Sequence, residues 1–450
     1  MGIAVVTIAN DFSAINVALP TIESDFHTNI NTIQWVVNAY ALTFGVMIVT
    51  GGRLADMFGR RNAFFLGTAI FASMSALGGA AQTETWLILT RTLMGIGGAL
   101  MWPAILGMTY ALLPEDKAGL AGGIIIGTAG LGNAIGPLIG GVLTDALSWR
   151  WIFFLNVPIS AFAVLVTYRF VKADEPEAGE QRIDYPGIAA LSVGLVSLLV
   201  ALDQVDDWGF ADPRTIGMLV LSTVLLVAFV PIERRAGLNA LVPRAVMANE
   251  SFRASCLAIL LMSATFFAAL LYLPQFMQHQ LDYSPLQAGL GMLPFLATFA
   301  CVSFVAGPLY ERLGAKLLAS VGALCIAIAP FVFSLVGERS HYSSLVAGMV
   351  VLGIGIGSFY PTATTAGVTS VEESQTSLAG GIVYMFQIAG GSIGLGLTTM
   401  VFSAQGSFVD GIQAGFRLDA ALSLVGFLIA LFFVGGRLVG RAGATGGAPA

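Results

Sequence analysis

Two ionisable residues stand well inside long apolar stretches of this chain. Asp11 lies in Asp11-Phe12-Ser13-Ala14-Ile15-Asn16, and Arg91 in Arg91-x-x-x-Gly95-x-Gly97-Gly98-Ala99. A charge taken out of water is costly, so such residues face protein or water, find a partner, and mark ion or proton pathways. A carboxyl in that setting can take up a proton in one conformation and release it in another. The plainer alternative is structural: Asp11 paired with Arg91, or Arg91 bonded to backbone carbonyls, only to hold helices together. A second cluster is Gly52-Arg53-Leu54-Ala55-Asp56-Met57-Phe58-Gly59-Arg60-Arg61. Its Gly52 and Gly59 suit a tight turn, and Asp56 sits near a helix end beside Arg60 and Arg61. Such a group can latch one face of a molecule closed and release it; a basic loop that only sets orientation is the alternative. The third is Gly132-Asn133-Ala134-Ile135-Gly136-Pro137-Leu138-Ile139-Gly140-Gly141. Small residues at i, i+4 and i+8 give a helix a flat face for close packing, and Pro137 removes a backbone donor and kinks it.

Other chemistry finds little support. Cys256, Cys301 and Cys325 lie in apolar stretches without CxxC spacing, which disfavours disulfides and zinc. His27, His279 and His341 read as scattered residues of outward loops rather than a metal site. The run Gly95-Ile96-Gly97-Gly98 lacks a GKS/T sequence and a preceding strand, so no ATP hydrolysis is implied. No cofactor is expected. A net charge of −6 without a long basic run argues against nucleic acid as a partner.

The elements that must position these residues are membrane helices. Of 450 residues, 56% are hydrophobic and 10% charged, and the mean hydropathy is +0.85; a soluble domain carries about 25% charged residues. Apolar stretches near the roughly 20 residues a helix needs to cross a bilayer number fourteen. Six fall between residues 2 and 171, two at about 185–204 and 215–232, and six between 252 and 436, the last at about 416–436. Loops on one side hold 15 of the lysines and arginines, loops on the other hold 4, and Arg91 is left inside a span. The basic side faces the cytoplasm, which puts both termini there. The first span starts almost at Met1 without a basic leader or a cleavage site, so it does not read as a signal peptide. Asp203, Asp206, Asp207 and Asp212 form an acidic outer loop, 174–184 a polar linker, and 442–450 a Gly/Ala tail.

The chain repeats itself. Leu120-Ala121-Gly122-Gly123-Ile124 returns as Leu378-Ala379-Gly380-Gly381-Ile382, and Gly95-Ile96-Gly97 as Gly353-Ile354-Gly355, both 258 residues on. Gly52-x-Leu54-x-Asp56-x-x-Gly59-x-Arg61 returns 255 residues on as Gly307-x-Leu309-x-Glu311-x-x-Gly314-x-Lys316. The spacing leaves room for six helices, two inserted helices and six more: 1–172, 173–245 and 246–450. Two similar halves that rock about a central site give alternating access.

The motifs resemble those of the major facilitator superfamily, and within it the fourteen-helix drug:proton antiporter family of the EmrB/QacA type, over nearly the whole chain. The resemblance implies an all-α polytopic major facilitator fold. It makes Gly52, Asp56, Gly59, Arg60 and Arg61, with Glu311 and Arg312 of the second half, a cytoplasmic gate. It makes Gly132, Gly136, Pro137, Gly140 and Gly141 the pattern that marks antiporters, and the Asp11 segment the branch's first-helix motif. Met57 and Met94 stand where the family has Arg and often Gln. The segment from Trp149 to Pro158 is also typical of the branch; by itself it reads as an aromatic belt at the membrane interface with an amphipathic Arg150. The function implied is export of amphipathic or lipophilic compounds in exchange for protons, with Asp11 and Arg91 coupling the proton. The protein is expected in the inner or plasma membrane, functional as a monomer, with a small molecule, protons and lipid as partners. An uptake symporter or an exporter of one metabolite on the same fold is the nearest alternative. A lipid-modifying enzyme would need more buried polar groups than Asp11 and Arg91, and a channel would need rings of charge or carbonyls. No second membrane-buried acid is expected, and the substrate-binding residues are not legible.

Overall fold

A computed structural model describes residues 1–172, 183–209, 211–237 and 240–435. Most of the polar linker, the C-terminal tail, and Arg182, Arg437 and Arg441 lie outside the described residues. In lipid every backbone group must find its partner within the chain, which leaves an apolar run of this length only the helix. Among the described residues fourteen helices are long and apolar enough to cross a membrane. They are α1 (Gly2–Phe26), α2 (Ile30–Phe58), α3 (Arg60–Gly79), α4 (Glu84–Leu112), α5 (Ala118–Ala146), α6 (Arg150–Phe170) and α7 (Tyr185–Asp203). Then follow α8 (Pro213–Ala236), α9 (Glu250–Gln280), α10 (Leu293–Leu313), α11 (Ala315–Phe333), α12 (Tyr342–Val368), α13 (Thr376–Ser403) and α14 (Phe408–Phe433).

Polar side chains set where these helices start. Asn29, Thr83, Asn249 and Ser407 each accept a first-turn backbone N–H of the helix that follows, satisfying donors the helix leaves open. Ser407 places the start of α14 at Phe408, eight residues before the apolar run begins. The acidic outer loop is partly ordered, with a short helix Val205–Trp208 and Asp212 capping α8 through Arg214 N. His279 belongs to the last turn of α9 rather than to a loop. The turns at Gly59 and Gly314 have φ of 94° and 82°, a region that residues with a side chain rarely adopt.

The packing recurs at the sequence offset. α5 lies on α1, α4 on α2 and α3, and α6 on α3 and α1; α13 lies on α9, α12 on α10 and α11, and α14 on α11 and α9. A Cβ at Gly95 would meet Tyr40 O at 2.7 Å and Thr43 Cβ at 2.9 Å; at Gly353 it would meet Phe295 O at 2.7 Å and Thr298 Cβ at 2.8 Å. Partner and glycine thus shift together by 255 and 258 residues. The two groups of helices meet mainly where α2 runs along α13 and α5 along α10. The hairpin α7–α8 leans through α7 on α2 and α13.

Candidate functional site

Asp11 and Arg91 meet. Arg91 Nη1 donates to Asp11 Oδ2 at 2.5 Å, and both side chains are wholly buried. The other carboxylate oxygen accepts Asn156 Nδ2 of α6 at 2.8 Å, and the same amide donates to Ser75 Oγ of α3 at 3.1 Å. The Ser75 hydroxyl in turn donates to Phe153 O at 2.8 Å. Arg91 Nε is held by Val36 O at 2.8 Å, and the guanidinium carbon lies 4.3 Å from the centre of the Tyr40 ring. Five helices therefore converge on one carboxylate. The ring face offers Arg91 a second, weaker electrostatic partner, and its Nη2 is buried with no partner among the described residues. The carboxylate is thus held by a guanidinium on one oxygen and an amide on the other.

Asn156 and Tyr40 were not among the residues singled out from sequence. Asn156 carries no charge, and it lies in a segment that reads as an interface belt. Trp149 is 2% exposed; its Nε1 donates to Asp25 at 3.1 Å, while Arg150 pairs with the same carboxylate at 2.7 Å and stacks on the Trp149 ring. Only Trp151 of that pair faces outward.

The motif around Asp56 crosses from one group of helices to the other. Asp56 accepts Arg60 Nε at 3.1 Å, Ser377 N at 3.3 Å and Leu378 N at 2.8 Å. The last two are open donors in the first turn of α13, so Asp56 caps that helix from outside, where a negative charge is favoured. Arg60 completes the tie through Gly107 O at 3.3 Å and Glu373 O. Gly52 lets α2 approach, since a Cβ there would stand 2.6 Å from Ser377 O. The second copy is reciprocal: a Cβ at Gly307 would stand 2.9 Å from Gly119 O and Leu120 Cα, and Glu311 pairs with Lys117 at 3.1 Å. Arg61 donates to Tyr168 O and stacks on Phe65 and Tyr168. Arg312 is exposed and forms no ion pair with a described residue.

On α5, a Cβ at Gly136 would run into Ser13 and one at Gly140 into Ala14 O; at Gly132 it would stand 2.8 Å from Ala9 Cβ. These three residues form the face against α1. Gly141 does not belong to it, its nearest neighbour being Val17 Cγ1 at 3.8 Å. Pro137 lies elsewhere on the helix, against an apolar hollow of about 290 Å³ shared with Leu131, Leu290, Leu293, Ala300 and Cys301. Between the two groups of helices an aromatic cluster joins Phe44, Trp102 and Tyr384, with Tyr384 at 5.5 Å from Phe44 and 4.7 Å from Trp102 between ring centres. Trp102 Nε1 and the Tyr40 hydroxyl are buried there without a partner among the described residues.

One expectation fails outright. A second acid is buried within a span: Asp419 of α14 is 0% exposed.

Known proteins match the chain over most of its length. The family model described as Major Facilitator Superfamily matches residues 1–249 and 255–448. The puromycin resistance protein of Streptomyces alboniger is 34% identical over 397 residues, 87% of this chain and 78% of that one. The tetracenomycin C resistance and export protein of Streptomyces glaucescens is 29% identical over 405 residues, 90% of this chain and 75% of its own. The cephamycin export protein of Amycolatopsis lactamdurans is 31% identical over 428 residues, covering 94% and 87%. Among solved structures, the human organic anion transporter MFSD10 superposes with a TM-score of 0.67 at 14% identity, over 95% of this chain and 98% of that one.

Proposed function

The chain belongs to the Major Facilitator Superfamily, a family of transporters, and from that premise we propose that it is a proton-coupled exporter of amphipathic or lipophilic compounds. Three relatives named for puromycin, tetracenomycin C and cephamycin support export of bulky antibiotic-like molecules. The observation that carries the coupling is the wholly buried Asp11, shared between Arg91 and Asn156. A proton arriving at Asp11 displaces Arg91; its departure restores the pair. The 1–172 and 246–450 halves rock about this level, and 173–245 flanks them. Asp56 and Glu311 are the two latches, and the Gly132-Gly136-Gly140 face lets α5 slide on α1. The aromatic cluster of Phe44, Trp102 and Tyr384 lines the cargo's path, apolar enough for ring systems and polar at its indole and phenol.

The latched end carries the basic loops, so it faces the cytoplasm, with both termini, in a plasma membrane. With both latches made, the conformation is closed to the cytoplasm. Each proton moving inward supplies roughly 2.3 kcal/mol per 100 mV of membrane potential, to be spent on outward transport by a single chain. Cells with the protein should retain several-fold less labelled puromycin than cells without it, and a protonophore should erase the difference. Equal retention would refute export; a difference that survives the protonophore would refute proton coupling.

A further inference from the structure

Asp419 sits eleven residues into α14, in contact with α9 and α13 and without a counter-ion among the described residues. Thr398 Oγ1 lies 2.8 Å from Asp419 Oδ1 and 2.9 Å from Gly394 O. A hydroxyl has one proton to give. If Thr398 gives it to Gly394 O, the common bond to the carbonyl four residues back, the short contact with Asp419 can only be made by a proton on the carboxyl. If Thr398 gives it to Asp419, the carboxylate receives one hydrogen bond and its Oδ2 stays buried without a partner among the described residues. A buried carboxylate in that position would cost far more than a neutral acid.

The charged and titratable residues on the packed helices offer it nothing. On α9, Glu250, Arg253, Cys256, Tyr272 and His279 make no hydrogen bond or ion pair with Asp419; Tyr272 bonds Thr399 and His279 stacks on Phe408. The same holds for Lys316 and Cys325 of α11 and Tyr384 of α13, Lys316 donating to Phe432 O. On α14 itself Arg417 is exposed and donates to Gln413, and Asp410 belongs to the Ser407 cap.

The position is the counterpart of a residue already described. α6 and α14 end 263 residues apart, and that offset carries Asn156 to Asp419 and Ser160 to Ser423. An offset of 254 carries Asp11 to Thr265, and Thr265 bonds Ser423 at 2.6 Å and Asp419 O at 3.5 Å. One half thus places its acid on the first helix and an amide on the sixth. The other places a hydroxyl on the first helix and the acid on the sixth.

We propose that Asp419 is a second proton-binding group, neutral in this conformation and exchanging its proton with water when α14 moves against α9 and α13. The inference rests on the proton-coupled reading above, but its test does not need cargo. The full chain in liposomes is compared under acid and alkaline conditions by infrared difference spectroscopy. A protonated-carboxyl stretching band is expected in the wild type, kept in Asp11→Asn and lost in Asp419→Asn. Thr398→Val, which keeps the acid and removes its hydrogen-bond partner, should shift that band. A band unchanged in Asp419→Asn overturns the proposal, as does an unshifted band in Thr398→Val should Asp419→Asn fail to fold. A chain that exports no puromycin yet shows the Asp419 band would defeat the export reading and leave this one standing.

Discussion

In the proposed cycle Asp11 alternates between the Arg91 guanidinium and a proton, and a substitution can separate the two. Asp11→Asn keeps the size and the contact with Asn156 but leaves Arg91 buried without its counter-charge, at a cost of about 3–5 kcal/mol. We expect that variant to melt well below the wild type and to move no protons. Adding Arg91→Met should recover much of the melting temperature while transport stays uncoupled; a double variant that still couples would reduce the pair to a structural tie. For the latch, Asp56→Asn weakens bonds that each contribute about 1.5–3 kcal/mol when the acceptor is charged. The balance between closed and open states should shift by roughly ten-fold or more, seen as slowed efflux at normal surface expression. Wild-type turnover would leave the motif a loop that only sets orientation. The Asp11 and Arg91 contact could be read from the sequence because a charge in an apolar run is conspicuous. Asn156 could not, since an uncharged amide beside tryptophans looks like an interface. Asp419 escaped because it falls only three residues into the apolar run that starts at about 416, beside Arg417, and so looks like part of a polar span end; Ser407 in fact starts the helix well before it.

Among the elements, α5 gives the sharpest contrast between neighbours. Gly136→Leu must drive α5 off Ser13 and Ala14 of α1, a misfit of at least the about 1–3 kcal/mol usual for overpacking. Gly141→Ala meets only ordinary van der Waals contact. The expected outcome is impaired efflux for the first at preserved membrane insertion, and efflux like wild type for the second; equal behaviour would remove the argument from the flat face. The fourteen helices were legible because a bilayer allows an apolar run little else. Their ends were less so. Polar residues continue a helix once a cap has started it, as Asp410 does in α14, and Met292 interrupts the tenth apolar run between Pro285–Gly291 and α10. The flat face on α5 was legible from spacing alone, but which helix it meets required the fold.

At the scale of the whole molecule the two latches are reciprocal but unequal. Asp56 is buried and caps a helix, while the Lys117 and Glu311 side chains are 46% and 20% exposed, a setting in which an ion pair contributes about 0–1 kcal/mol. Lys117→Ala should therefore slow efflux far less than Asp56→Asn; the reverse order would mean that the Glu311 side carries the gate. The repeat behind this arrangement was visible as shared glycines, because close backbone approach admits few other residues. Lys117 was not, since its counterpart role depends on a partner 194 residues away. The proposed export depends on coupling between cargo and proton at Asp11. The direct measurement is puromycin-driven proton movement across proteoliposomes holding the wild-type chain or Asp11→Asn. Proton flux opposite to puromycin is expected in the wild type and none in Asp11→Asn. Proton flux of wild-type size in Asp11→Asn would contradict that coupling.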